Sequence, residues 1–292
     1  MASLSDRLTY EAIVDRPKLT LPGGARVAVW VIVNIEEWRI DKAQPRGVLP
    51  PPMGKPLVPD VPNWAWHEYG MRVGFWRFLD MLTKRDLPVT LCLNGRCIEG
   101  YPRVVSAARD AGWVFAGHGW VQGPMHNVED QRAAIRDTLD AISGFTGAPC
   151  LGWESPGLTE TEDTADFLTE AGVSWVADWV IDDLPATLTT AHGPLVAMPY
   201  SVEINDVVIH AVERAPSDTY FSRGVAHFDR LYEEGATIPR VMAVSIHPYL
   251  TGVPHRIAAV ERLLDHIVAH DDVAFMTGDG LDAWYREAAR IA

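Results

Sequence analysis

RVAVWVIVNIEEW (26–38) opens with a run of valine and isoleucine and ends on two adjacent carboxylates, Glu36 and Glu37, followed by Trp38. Residues 26–35 read as a β-strand, because β-branched residues suit a pleated, buried surface. Downstream the same kind of segment recurs. Strands are expected over 88–93, 113–117, 150–153, 173–180, 195–199, 240–246 and 273–276. Between them, helices are expected over 74–85, 102–111, 129–145, 160–171, 217–234, 254–270 and 281–289. Strand-then-helix alternation over most of the chain predicts an α/β fold with a parallel sheet closed, or nearly closed, into a (β/α) barrel. No glycine-rich dinucleotide or phosphate-loop signature follows any of these strands, which argues against a nucleotide fold.

The organisation expected is an N-terminal extension over 1–25 and a single domain over 26–292. One long interruption stands out at 41–70. It carries Pro45, Pro50, Pro51, Pro52, Pro56, Pro59 and Pro62, then Trp64 and Trp66. Proline lacks the N–H that a helix interior or a ladder needs, so this stretch reads as loop, and its aromatics as those of a packed lid.

The chain has 292 residues, 48% of them apolar and 22% charged, with a formal charge of −14. That charge makes it a poor partner for nucleic acid or an anionic membrane. No apolar run approaches the ~20 residues of a membrane span. The N-terminal residues lack the apolar core of a secretory signal, so a cytoplasmic location is expected. Cys92, Cys97 and Cys150 form no paired motif and read as packing residues rather than a disulfide framework.

In β/α barrels the chemistry gathers at the C-terminal ends of the strands. There the sequence places Asn34, Glu36 and Glu37, then Asn94 and Arg96, His118 and Gln122, Glu154 and Ser155, Asp178, Asp182 and Asp183, and His247. Neighbouring acids at a strand end point in different directions and can take different roles, one of them as a base. His118 sits between glycines, which allow close approach, and His247 directly follows an apolar strand and precedes a proline. Glu36, Glu37, His118 and His247 are the candidate catalytic residues. Trp38, Trp120, Gln122, Glu154, Ser155 and Asp183 are the candidate substrate contacts. His266 and His270 have the i,i+4 spacing of a metal clamp, but they lie off the apolar stripe Ile257, Val260, Leu264 and Ile267, and read as solvated.

Through these residues the chain resembles the polysaccharide deacetylase superfamily, carbohydrate esterase family 4, and within it the allantoinase-like branch. The markers are VNIEEW (33–38), HEYGMRVGFWR (67–77), AGWVFAGHGWVQ (111–122), GWESPGLTET (152–161), DWVIDDLP (178–185), MPYSVEIND (198–206) and SIHPYLTGVPHRIAAVERLLDHI (245–267). The resemblance implies a distorted (β/α) barrel of about seven strands. Glu36 and Glu37 fall where metal-dependent deacetylases carry two aspartates, a base and then a metal ligand. The family's His-x-x-x-His motif falls on His118 and Gln122, so its second histidine is missing. His247 falls on the catalytic histidine, and the 178–183 block on the segment that orients it. If a divalent metal such as zinc is held, its ligands would be Glu37, His118 and Gln122, with His126 as a substitute. A neutral glutamine is a weak zinc ligand, and the allantoinase-like branch often requires no metal, so none is expected to be required.

The expected activity is hydrolysis of a C–N bond in a small cyclic amide, ureide or imide such as allantoin. Glu36 would activate water, and Glu37 would meet the substrate or a metal. His118 would bind the carbonyl oxygen or a metal. His247 would be the acid, its ring held by an acid among Asp178, Asp182 and Asp183. Two alternatives remain, a metal-dependent N-deacetylase of an amino sugar and a degenerate barrel that only binds. The expected partner is a small-molecule substrate, and the resemblance suggests a homo-oligomer.

Overall fold

The structure is a computed structural model that describes residues 4–291. Its centre is β1 (Val27–Ile35), buried at every position. After it come α1 (Val61–Tyr69), a wide helical turn at Gly70–Gly74, α2 (Phe75–Lys84), β2 (Val89–Leu93), α3 (Cys97–Gly100), α4 (Pro102–Asp110) and β3 (Val114–Gly117). Next are α5 (Gln131–Thr146), β4 (Gly152–Trp153), α6 (Thr164–Glu170), β5 (Trp175–Val176), β6 (Ala186–Thr190) and β7 (Gly193–Ala197). The chain closes with α7 (Thr219–Gly235), β8 (Arg240–Ile246), α8 (Ile257–Val268), β9 (Val273–Phe275) and α9 (Gly278–Ala289). The strands lie in the order β6-β7-β5-β4-β3-β2-β1-β8, with β9 also pairing with β1. All neighbours are parallel except the hairpin β6–β7.

Among the described residues no strand pairing joins β8 to β6, so the barrel is distorted and open along one seam. The N–H groups of β8 on that side find other acceptors. Val241 donates to the carbonyl of Asp183 at 2.9 Å and Ala243 to Ser201 Oγ at 3.1 Å. Just past the strand, His247 donates to Asp206 Oδ2 at 2.8 Å.

Side chains alternate across a strand, and the two faces of this sheet form separate apolar layers. Val27, Val29, Val31, Val33 and Ile35 pack outward among residues such as Phe75, Phe78 and Leu264 of the helices. Ala28, Trp30 and Ile32 point inward with Cys92, Ala116, Trp175, Val196, Val241 and Ala243. Trp30 meets Trp175 edge to face, with centroids 5.3 Å apart, and its indole N–H donates to Thr90 Oγ1 at 2.8 Å. The inward face is therefore a filled core, closed below the strand ends.

Three expectations need correction. The loop over 41–70 ends at Asp60, and α1 begins within the expected loop. Asp60 accepts from Asn63 N–H, and Pro62 falls in the first turn, where a missing N–H costs nothing. The strand expected at 195–199 is one arm of the β6–β7 hairpin. That at 173–180 shrinks to two residues. The N-terminal segment docks on the barrel through Arg7, which binds Asp166 Oδ1 and Oδ2 at 2.8 Å each and the carbonyl of Glu162 at 2.6 Å.

Candidate active site

The inward-facing series of each strand runs on beyond its last residue. After Ala28, Trp30 and Ile32 come Asn34 and Glu36, and after Val241 and Ala243 come Ser245 and His247. Cys92 leads to Asn94, Ala116 to His118, and Val196 and Met198 to Tyr200. These side chains, with Glu154 past β4, are buried at the mouth of the barrel. Glu36, His118, Glu154, Tyr200 and His247 line a cavity of about 270 Å³, which Arg46 from the proline-rich loop and Gln122 also line.

His247 and Glu36 form its chemical centre. His247 Nδ1 lies 2.6 Å from Asp206 Oδ1, so that nitrogen carries a proton donated to the carboxylate. The second oxygen of Asp206 accepts from the backbone N–H of His247 at 2.8 Å and from Thr251 Oγ1 at 2.6 Å. Nε2 of His247 is thereby aimed at Glu36 Oε1, 3.6 Å away. Burial alone would lower the His247 pKa, but the charge and hydrogen bond of Asp206, with Glu36 beyond, hold it above the ordinary value. Burial alone would raise that of Glu36, yet the charges of His247 and Arg46 bring it below the ordinary value. Between these two pKa values the carboxylate is ionised while the imidazole is protonated. Glu36 Oε2 accepts from Trp38 Nε1 at 2.5 Å and from the Tyr249 hydroxyl at 3.4 Å, while Oε1 has no hydrogen-bond partner.

His118 presents a different face. Its Nδ1 is 2.6 Å from the carbonyl oxygen of Glu154, which can only accept, so Nδ1 carries the proton and the unpartnered Nε2 shows the cavity a lone pair. Burial pulls its pKa down to about 4. With Nδ1–H committed to Glu154, the free Nε2 of a neutral His118 accepts a hydrogen bond and cannot donate one to a substrate carbonyl oxygen, which corrects half of its expected role. Burial lifts the Glu154 carboxyl to about 7, and its Oε2 has no hydrogen-bond partner.

The pattern of the polysaccharide deacetylases matches residues 66–176, a span that holds His118 and Glu154 but neither Glu36 nor His247. A Schizosaccharomyces pombe protein named for the polysaccharide deacetylases is 30% identical over 244 residues, 74% of each chain. The chain belongs to the polysaccharide deacetylase family. A probable polysaccharide deacetylase of Pseudomonas aeruginosa PAO1 superimposes with a TM-score of 0.87 at 27% identity, covering 95% of this chain and 97% of that one. The Puue allantoinase shares the fold, with a TM-score of 0.85 at 24% identity over 95% and 96% of the two chains.

The polysaccharide deacetylase family is one of hydrolytic deacetylases whose members typically use a metal, and the residues here do not form its ligand set. Glu37 continues the outward-facing series of β1. It pairs with Arg96 at 3.4 Å and lies against Gly100, away from the cavity, so it meets neither substrate nor metal there. Gln122 is an amide, its Oε1 3.4 Å from Asn94 Nδ2. His126 is exposed. Of these expected ligands only His118 offers a suitable free donor; Glu36 Oε1 and Glu154 Oε2 are also unpartnered, but among the described residues no three His, Cys, Asp or Glu donors converge in this cavity.

The other expected contacts divide. Glu154 and Gln122 line the cavity. Trp38 is buried behind it, stacked on His67 at 4.7 Å and edge-on to Tyr249, and acts through its bond to Glu36. Ser155 is buried and accepts from Trp153 Nε1 at 2.9 Å. Trp120 packs against Gly95, outside the cavity. Asp183 faces Arg240 across 3.6 Å beside a different surface groove. Of the acids expected to hold His247, Asp178 instead accepts from Ser155 N–H at 2.7 Å, and Asp182 binds Arg16 at 2.9 Å. Asp206 does that work. It had a signal, since it ends the MPYSVEIND block, but its partner lies 41 residues onward. Arg46 had no signal beyond its place as a base between Pro45 and Pro50 of the loop.

Proposed function

We propose that this chain hydrolyses a C–N bond in a small cyclic amide, ureide or imide, without a metal at the reacting centre. The observation that carries this reading is the cavity of about 270 Å³ at the barrel mouth, with Glu36 and His247 3.6 Å apart at its edge. A pocket of this size takes a small molecule rather than a polymer chain. Glu36 Oε1, ionised and without a hydrogen-bond partner, accepts the proton of a water as its oxygen adds to the carbonyl carbon. The C–N bond then breaks, and His247 Nε2–H gives its proton to the departing nitrogen, a poor leaving group until protonated. Arg46 supplies positive charge where the carbonyl oxygen becomes negative. The lone pair of His118 Nε2 accepts from a substrate N–H. Acceptor and donors together suit a ring that alternates N–H and C=O.

The free Nε2 of His118 favours a second reading, N-deacetylation of an amino sugar with a metal recruited to that nitrogen. One experiment separates the two. The chelated, dialysed protein is assayed on cyclic ureides and imides and, in parallel, on acetylated chitooligosaccharides. Ring opening that survives chelation supports the first reading. Turnover of the sugar alone, lost on chelation and restored by zinc or manganese, reverses the order. Binding without turnover in either series leaves a ligand-binding barrel.

A further inference from the structure

A second cluster of metal-competent side chains lies far from this cavity. α8 starts after the functional end of β8 and runs back along the barrel, so His266 and His270 stand at the opposite end from His247. α7 packs beside α8 and supplies a third donor, Asp229. His266 Nε2 lies 2.7 Å from Asp229 Oδ1. Donor atoms of Asp229, His266 and His270 all lie within 4.8 Å of one another, and among the described residues this is the one such group of three.

The second observation concerns His270. Its Nδ1 is 2.8 Å from the backbone carbonyl of His266, which places the proton on Nδ1 and leaves Nε2 as a lone-pair donor. Metal-binding histidines are commonly held this way, with the other ring nitrogen fixed by a carbonyl. Both rings stand on the edge of the buried Phe228, at 5.7 and 5.0 Å between centroids, and His270 also meets Tyr232 at 5.1 Å. The ligands thus rest on an apolar floor, with their open side to solvent.

We propose that Asp229, His266 and His270 bind one divalent ion of the zinc, nickel or copper class and tie α7 to α8. Two imidazoles and one carboxylate are the ligand types these ions take, at about 2.0–2.2 Å, with a fourth position left for water. The ion takes the place of the hydrogen between His266 Nε2 and Asp229 Oδ1, so His266 ligates through Nε2 as the tautomer with its hydrogen on Nδ1. The site is structural, because its place at the far end of the barrel keeps it from any reacting group. Spacing along α8 alone suggested solvated side chains; the third ligand comes from another helix, which no sequence spacing reveals. The inference is independent of the proposed catalytic reading.

The test uses the full chain, stripped with a chelator and titrated with zinc alone against a chromophoric competitor. The wild type is expected to bind one ion at this site with a rise in Tm. Asp229→Asn, which keeps the shape, should weaken binding by about tenfold or more. His266→Ala/His270→Ala should lose both the ion and the Tm rise, with circular dichroism showing the variants folded. His118→Ala should keep both. The proposal is overturned if the double variant binds zinc like the wild type, if His118→Ala is the variant that loses the ion, or if the wild type binds none at micromolar zinc.

Discussion

Glu36 and Glu37 are adjacent carboxylates, and the two-residue period of β1 sends one into the barrel mouth and the other toward Arg96. Replacing Glu36 by glutamine keeps the side chain's size and removes its ability to accept a proton. The expected loss in kcat is about 10²–10⁴-fold, with substrate affinity little changed; wild-type turnover in Glu36→Gln would remove the base from the mechanism. Asp206→Asn tests the other half of the pair. His247 must be protonated to act, and its pKa stands above the ordinary histidine value through Asp206. Activity therefore falls as pH rises through that value, and also as pH falls through the lowered pKa of Glu36. Without the Asp206 charge the alkaline limb should move to lower pH while the acid limb stays near its place, and a kcat profile reads both. The inward-facing acid could be told from its neighbour in the sequence, because 28, 30, 32, 34 and 36 share a face. The tautomer of His118 could not, because it depends on a carbonyl 36 residues away.

The helical turn at Gly70–Gly74 and the segment after β8 approach each other backbone to backbone. A side chain on Gly74 would run into the carbonyl of Pro248, the residue next to His247. Gly74→Ala should therefore cost about 1–3 kcal/mol of stability, the usual penalty of overpacking. It should also lower kcat by displacing His247. A denaturation curve together with kinetics checks both, and unchanged values in each would mean that the contact yields freely. The proline-rich stretch hid α1, because prolines read as loop even where one sits harmlessly in a first turn. The β6–β7 hairpin was hidden differently. Its first arm, Ala186–Thr190, is polar and half exposed at the sheet edge, so it lacks the apolar run by which β1 and β8 are recognised.

The docked N-terminal segment and the barrel behave as one folded body through Arg7. Its guanidinium is buried against Asp166 and the carbonyls of Glu162 and Thr189. Arg7→Ala leaves those acceptors without their donor, at a cost of about 1–3 kcal/mol. Tm should fall while kcat holds, since Arg7 lies outside the cavity; an unchanged Tm would show that the segment contributes nothing to the body. The strand–helix alternation made the barrel legible at this level. The break in its hydrogen-bonded circuit was not, because it depends on which strands meet. That break gives the amides of β8 two different clocks. Arg240 N–H is bonded to Arg26 of the first strand's lead-in at 3.0 Å, and Met242 and Val244 share that side by strand alternation. Val241 and Ala243 are held only by a loop carbonyl and a serine hydroxyl. In deuterated solvent the second pair should exchange whenever the loop lifts, and the first only when the sheet itself parts. One strand would then report, residue by residue, local breathing on its odd positions and global unfolding on its even ones.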